Sequence, residues 1–332
     1  MVTGGTGFIG SHLVEHLVQR GQQVRMLVRA TGGYGFKARF LHQMVQAGVE
    51  LVYGDICDRR AVQEAVRGMD MVYHLAAIMR DWGPRRLFAE VNVQGTENVL
   101  WACVQEGVQR IVFTSSIAAT GLENYPGLKD ETFPLTTSRH PYCWSKAKAE
   151  KICHRYATEH NLHITIVRPV YVYGPREFNV GPYIVARLLK RGFRILPGDG
   201  RNYHHMVYVA DLVRALELAA QEQAIGQIYL IGGPLTTARE VWAALAEAMG
   251  TGPIIYVPKT VGYVLAAVME GTYRALGRQN PPLLTFFRLG VLTNNNAWDC
   301  RKVARELGFR PQVGIREGMR RAVEWWRENG YL

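Results

Sequence analysis

Tyr142 and Lys146 stand four residues apart in the run Tyr142-Cys143-Trp144-Ser145-Lys146. On a helix that spacing puts both side chains on one face. A phenol with a pKa of about 10 is a poor base at neutral pH. A neighbouring ammonium favours its phenolate, so the pair can exchange a proton with a substrate oxygen near neutrality. Ser116 lies 26 residues before Tyr142, in Thr114-Ser115-Ser116 at the end of a strand-like run. Its hydroxyl can orient that oxygen beside Tyr142. A satisfied strand-end hydroxyl is the plainer reading of each serine.

Proton exchange at an oxygen becomes redox chemistry when a hydride carrier sits beside it. The run from Val2 to Leu13 carries Gly4, Gly7 and Gly10 at the spacing of a dinucleotide-binding turn. The first glycine permits the sharp turn, the second lets backbone amides approach a pyrophosphate, and the third lets a helix pack close. Gly54-Asp55-Ile56 closes a later strand. Asp55 can accept from an adenine amino group while Ile56 packs on the ring; the competing role for Asp55 is a helix cap, for which Asp58 also stands ready. An acid at the end of the second strand would bind the ribose 2′-hydroxyl of NAD. The chain has Arg29 there, with Lys37 near, which favours the 2′-phosphate of NADP through charge-assisted bonds and leaves NAD possible. Lys146 can also hold the nicotinamide ribose.

These residues need a frame, and the chain supplies one. Apolar runs at Gln23–Val28, Val49–Tyr53, Met71–Leu75, Arg110–Thr114 and His163–Val172 read as strands. Helical patterns lie between them near Phe8–Arg20, Lys37–Ala47, Arg59–Arg67, Leu87–Glu106 and Tyr142–His160. This alternation predicts an α/β fold of Rossmann type, a doubly wound parallel sheet with helices on both faces. Ile228–Ile231 reads as a further strand. Thr237 to Glu240 reads as a capping box opening a helix through Met249, and a final helix is predicted near Ile315–Arg327. The expected division is a dinucleotide-binding domain over 1–174 and about 203–232, and a smaller, mainly helical substrate lobe over 175–202 and 233–332. Only Met1 and Val2 precede the turn, whereas a strand has about five or six residues. That predicts reduced stability around Met1–Thr3 and a native start a few residues upstream.

The 332 residues are 48% hydrophobic and 20% charged, an ordinary soluble composition. The net charge of +11 suits an anionic ligand or simply an Arg-rich surface. Neither a clustered basic stripe nor a binding motif points to nucleic acid. Five cysteines, an odd number without metal-ligand spacing, fit free thiols in a reducing cytoplasm. Adjacent His204 and His205 diverge on a strand and make no metal site. The apolar run Thr260–Met269 is too short to span a bilayer and reads as a buried helix or a pocket wall, with peripheral membrane contact as the lesser reading.

Taken in order, Thr3–Gly10, Gly54–Ile56, His74–Ala77, Asn92–Val99, Thr114–Ser116, Tyr142–Lys146, Arg168–Pro175 and Val207–Leu212 form a pattern. The chain resembles an extended short-chain dehydrogenase/reductase over nearly its whole length. The resemblance implies catalysis by Ser116, Tyr142 and Lys146. It implies cofactor contacts from Gly4, Gly7, Phe8, Ile9, Gly10, Arg29, Asp55, Ile56, Leu75, Ala76, Ala77, Asn92, Tyr142, Lys146, Pro169 and Val172. Phe8 and Ile9 would offer backbone amides at the helix N-terminus. Asn92 has an equal claim to a structural role. A homodimer through the helices near Leu87–Glu106 and Tyr142–His160 is also implied.

Two departures narrow the expectation. Nucleotide-sugar epimerases usually carry a basic-acidic-aromatic motif where this chain has Tyr203-His204-His205-Met206. Sugar dehydratases usually place acids after the catalytic hydroxyl, where Ile117 and Ala118 follow Ser116. Gly198 to Asn202, Val207 to Val209 and the tail through Trp325-Trp326-Arg327 are similar to the 3β-hydroxysteroid dehydrogenase and dihydroflavonol-reductase-like branch. The expected activity is interconversion of a secondary alcohol and a ketone on an apolar or ring-containing small molecule. The alternatives are an epimerase holding NAD tightly and a non-catalytic NADP(H) sensor. The substrate mouth is expected at Met79–Arg86, with Met79 and Trp82 as walls beside Ser116, and Tyr173, Phe178, Tyr183 and His205 as further candidates.

Overall fold

A computed structural model describes residues 1–30, 36–178, 181–278 and 280–332. The nucleotide-binding half runs β1 (Val2–Thr3), α1 (Phe8–Gln19), β2 (Arg25–Val28), α2 (Phe36–Gln46), β3 (Glu50–Tyr53), α3 (Arg59–Val66) and β4 (Met71–His74). It continues with α4 (Arg85–Phe88), a π turn (Ala89–Gln94), α5 (Gly95–Glu106), β5 (Arg110–Thr114), α6 (Pro141–His160) and β6 (His163–Pro169). Further on come β7 (Tyr171–Tyr173), α7 (Gly181–Lys190), β8 (Ile195–Pro197), β9 (Met206–Tyr208), α8 (Val209–Leu218) and β10 (Ile228–Ile231). The chain closes with α9 (Ala238–Met249), β11 (Ile255–Val257), α10 (Lys259–Ala275), α11 (Phe286–Thr293), α12 (Arg301–Leu307) and α13 (Ile315–Glu328).

The central sheet has 7 strands in the order β10-β6-β5-β4-β1-β2-β3, all parallel. Side chains alternate across it, as the pleat requires. Val112 faces a core built with α1, α2, α8 and α12, while Ile111 and Phe113 face one built with α3, α5 and α6. The fold is therefore the expected doubly wound α/β sandwich. Although β1 has only two residues, it is paired on both sides, Val2 with Met26 and Tyr73, and Thr3 with Leu27 and His74.

Some expectations need correction. The run His163–Val172 is not one strand. It breaks at Val170, after which β7 leaves the main sheet and pairs with β9. The stretch Leu87–Glu106 is not one regular helix, because a π turn interrupts it at Ala89–Gln94. The Thr237 capping box forms as read, with Glu240 reaching back to the Thr237 amide. A third core joins Tyr173, Tyr183, Leu196, Trp242, Met319 and Trp326, so residues from before β9 and after β10 pack together. The tail then crosses back: Val303, Leu307 and Phe309 pack with the central sheet rather than with that core. Among the described residues no helix is long and apolar enough to cross a membrane.

Candidate active site

The glycine turn leaves β1 with Gly4 at φ 73°, in the left-handed region. A Cβ at Gly4 would stand 2.7 Å from the Ala76 amide nitrogen, and one at Gly10 would stand 2.2 Å from the Gly4 carbonyl oxygen. Only hydrogen fits at either place. The turn presses directly on the loop Leu75-Ala76-Ala77 that follows β4. Thr3 ties the two together, since its Oγ1 accepts from the Leu75 and Ala76 amides. Helix α1 starts at Gly7 with no capping side chain and no acid in its first turn. Its free Phe8 and Ile9 amides and its dipole suit an anion, so the cradle fits a dinucleotide pyrophosphate.

A hydrogen-bond chain runs inward from this turn. The Thr96 hydroxyl donates to the Asn92 carbonyl, so it accepts from His74 Nε2 at 3.0 Å. The other ring nitrogen, Nδ1, then accepts from the Thr3 hydroxyl at 2.7 Å. His74 is thus neutral with its proton on Nε2, and burial, aided by the Lys146 charge, pushes its pKa down to about 3. Asn92 closes the chain. Its Oδ1 accepts from the Ile78 amide, while its Nδ2 donates to the Ile78 carbonyl and to Ser145 Oγ. The side chain is spent on bracing the β4 loop against α6. The structural role wins, and the cofactor contact expected of Asn92 is withdrawn.

Beyond β3, Asp58 caps α3 by accepting from the Arg60 and Ala61 amides. Asp55 is released from that duty and accepts from the Cys57 amide. Ile56 is buried against Gly95, with its carbonyl held by Asn98, so its side chain serves the core rather than a ring face. Arg29, past the end of β2, is exposed. It lies near Asp55 and Cys57: burial pushes the Cys57 thiol up to about 11, the Asp55 carboxylate adds to the rise, and the Arg29 charge pulls it back. Lys37, on the first turn of α2, is exposed as well.

Ser116 follows β5 and caps the short 3₁₀ turn Ile117–Thr120, accepting from the Ala118 amide at 3.1 Å. Its hydrogen remains available to donate. Tyr142 lies in the first turn of α6, which Pro141 opens at the first helical position. Burial raises the Tyr142 phenol to about 12, and the Ser116 hydroxyl beside it draws the value back down. One turn further, Lys146 is buried and donates to the Thr114 carbonyl at 2.9 Å. Burial lowers the Lys146 ammonium to about 8, against the raising charge of Glu150. Ser116, Tyr142 and Lys146 therefore converge at the carboxyl end of β5, where parallel α/β sheets bind ligands. Pro169 ends β6, the neighbour of β5, and Val172 lies on β7 just beyond.

Sequence reasoning assigned no role to the group behind this triad. Glu150 is fully buried and pairs with Arg168 through Oε2 at 2.6 Å and Oε1 at 2.9 Å. Ser115 also donates to Glu150, and Arg168 reaches the Glu131 carbonyl at 3.1 Å. The available signal was helical spacing, because Glu150 follows Lys146 by one more turn of α6.

The expected mouth divides in two. Met79 is exposed and Trp82 is partly so. Their loop is held by α10 and the start of α11: Asp81 pairs with Arg288 at 2.7 Å and accepts from Thr285, while Arg274 lies over the Trp82 ring at 5.4 Å. His140, just before α6, stacks on Phe287 at 3.8 Å. The other four candidates are corrected, since packing consumes them. Tyr173 is buried against Gly318 and Tyr208, and Tyr183 donates to the Tyr331 carbonyl. Phe178 packs on Tyr331 and Trp325, and His205 bonds the Gly233 carbonyl at 2.8 Å.

The chain is similar to known proteins over nearly its whole length. The chain is 31% identical over 332 residues to the 2-alkyl-3-oxoalkanoate reductase of Stenotrophomonas maltophilia, covering 97% of each. It is 29% identical to sterol demethylase protein B of Methylococcus capsulatus, covering 100% of this chain and 99% of that one. The solved dTDP-glucose 4,6-dehydratase DesIV of Streptomyces venezuelae, with NAD and TYD bound, superposes with a TM-score of 0.79 at 29% identity, covering 99% and 96%. Residues 1–232 match the family described as NAD dependent epimerase/dehydratase. The glycine cradle, the Ser-Tyr-Lys convergence and that match lead to one assignment: the chain belongs to the NAD-dependent epimerase/dehydratase family of extended short-chain dehydrogenase/reductase enzymes.

Proposed function

We propose that the protein is an NAD(P)-dependent oxidoreductase that interconverts a secondary alcohol and a ketone on a small molecule with a largely apolar or ring-containing body. The observation that carries this reading is the meeting of Ser116, Tyr142 and Lys146 at one strand end, with apolar Ile117 and Ala118 behind Ser116. Neither residue directly after Ser116 is an acid that could assist loss of water. The bound dinucleotide supplies or accepts the hydride at the carbinol carbon. In reduction, the Tyr142 phenol gives its proton to the carbonyl oxygen, and Ser116 donates a hydrogen bond to the same oxygen. Lys146 holds a positive charge one turn away and favours the phenolate left behind. Oxidation reverses each transfer.

Gly4, Gly7 and Gly10 with the Phe8 and Ile9 amides would hold the pyrophosphate. Asp55 would take the adenine, and Leu75, Ala76, Ala77, Pro169, Val172 and Lys146 would enclose the nicotinamide end. Arg29, with Lys37, favours NADP over NAD. Met79 and Trp82 would meet the substrate. The likeness to a 2-alkyl-3-oxoalkanoate reductase supports a β-keto acid with alkyl chains, and the net charge of +11 suits its carboxylate. A homodimer through α5 and α6 belongs to the same reading. The test is consumption of NADPH and NADH against a panel of 2-alkyl-3-oxo acids and apolar ring ketones. Stoichiometric consumption supports the reading. Retained NAD with no net consumption, together with thermal stabilisation by UDP, would favour an epimerase instead.

A further inference from the structure

Helix α10 is built inside out. Its inner stripe is small: a Cβ on Gly262 would meet Leu289 and Pro197 at 2.8 Å, and Ala266 is fully buried. The one acid of the helix, Glu270, also faces inward, where it accepts from the Phe286 amide at 2.7 Å and pairs with Arg274. The large apolar residues face solvent instead. Val261, Val264, Leu265 and Val268 fall at i, i+3, i+4 and i+7, and are 44, 64, 51 and 62% exposed. The expectation of a buried helix or pocket wall over Thr260–Met269 is therefore overturned. Close packing of α10 on α11 and β8 needs small residues inside, and that leaves the branched ones exposed.

The ridge continues beyond the helix. Tyr263 and Phe286 lie together at its edge with ring centroids 6.3 Å apart, and Leu276 and Leu283 are exposed nearby in sequence. Its surroundings are basic. Residues 259–293 contain Lys259, Arg274, Arg278 and Arg288 against the single acid Glu270. Lys259, Arg274 and Arg278 are exposed, as is Arg80 of the loop that Arg274 and Arg288 contact. An apolar helical stripe with an aromatic edge and a cationic rim matches the interfacial zone of an anionic bilayer.

We propose that the outer face of α10 docks on the surface of a membrane containing anionic phospholipid. Val261, Val264, Leu265 and Val268 enter the acyl boundary while the basic rim meets the headgroups. The face borders the Met79–Arg86 loop through Arg274 over Trp82 and Arg288 on Asp81. A docked molecule would thus present its mouth to the lipid, although binding itself stands whatever the reaction proves to be.

The test is flotation of the purified full chain with two kinds of vesicle, phosphatidylcholine mixed with phosphatidylglycerol and phosphatidylcholine alone. The wild type is expected to float with the anionic vesicles, and to do so less with neutral ones or in high salt. The double variant Val264→Asp/Val268→Asp is expected to stay unbound, with an unchanged melting temperature and unchanged NADP(H) affinity. A wild type that does not float, or a double variant that floats equally well, would overturn the proposal. So would a wild-type dimer in sedimentation that this double variant splits into monomers, since the face would then belong to a second copy.

Discussion

Under the proposed reading, Arg29, with Lys37 near, favours NADP over NAD. A 2′-phosphate beside its guanidinium gains charge-assisted hydrogen bonds worth about 1.5–3 kcal/mol. Arg29→Ser is therefore expected to weaken NADPH binding by about tenfold or more, with 1.4 kcal/mol per tenfold step, and to leave NADH nearly unchanged. Fluorescence titration of both cofactors measures the ratio. Equal losses for the two would remove Arg29 from the 2′ pocket. Single residues were unevenly legible in the sequence. Asp58 was a recognisable competitor for the helix cap, and it took that role from Asp55. Asn92 was undecided because an amide serves a ligand or a loop equally well. Only its three bonds to Ile78 and Ser145 distinguish the two. Tyr173, Phe178, Tyr183 and His205 misled because aromatic side chains near a cleft fill cores as readily as they line mouths.

Helix α6 does more than carry Tyr142 and Lys146. Its next turn places Glu150 in a buried site beside β5 and β6, where Arg168 and Ser115 satisfy it. Breaking such a pair strands the remaining charge and costs about 3–5 kcal/mol. Glu150→Gln should lose stability of that order in urea unfolding, and Glu150→Gln/Arg168→Met should recover part of it. A single variant as stable as the wild type would mean that Arg168 finds another partner. Elements with strong local signals were readable: β5 and β10 occupy the predicted residues, and α1, α3 and α9 fall within one or two. The rest depended on partners distant in sequence. Apolar continuity cannot reveal that Val170 is where one strand ends and another joins β9. Nor can periodicity tell that α10 turns its small residues inward.

At the scale of the whole molecule, the buried histidines set a limit on acid tolerance. Burial holds His74 at about 3 and, with Arg176 near His12, holds His12 and His204 at about 4. Each is neutral in the folded chain, whereas the unfolded chain protonates near 6.5. Between those values the unfolded state binds more protons, so stability falls as pH falls from about 6.5 toward 4. From pH 7 to pH 5, His74 alone contributes a loss of about 2 kcal/mol. His74→Gln should show a smaller fall in urea midpoint over that range than the wild type does. An equal fall would place the acid sensitivity elsewhere.

The same sandwich brings a glycine turn, a neutral histidine brace and a Ser-Tyr-Lys set to the carboxyl ends of the central strands β1, β4 and β5, and the proposal that this is a redox site rests on the Tyr142 hydroxyl. The decisive measurement is turnover of Tyr142→Phe beside its NADP(H) affinity, on the substrate that the wild type consumes fastest. Loss of the general acid should reduce kcat by about 10²–10⁴-fold. The dissociation constant for NADP(H) should stay within about threefold, because the variant keeps the aromatic ring and Lys146. Turnover equal to the wild type, with the cofactor still bound, would contradict the account.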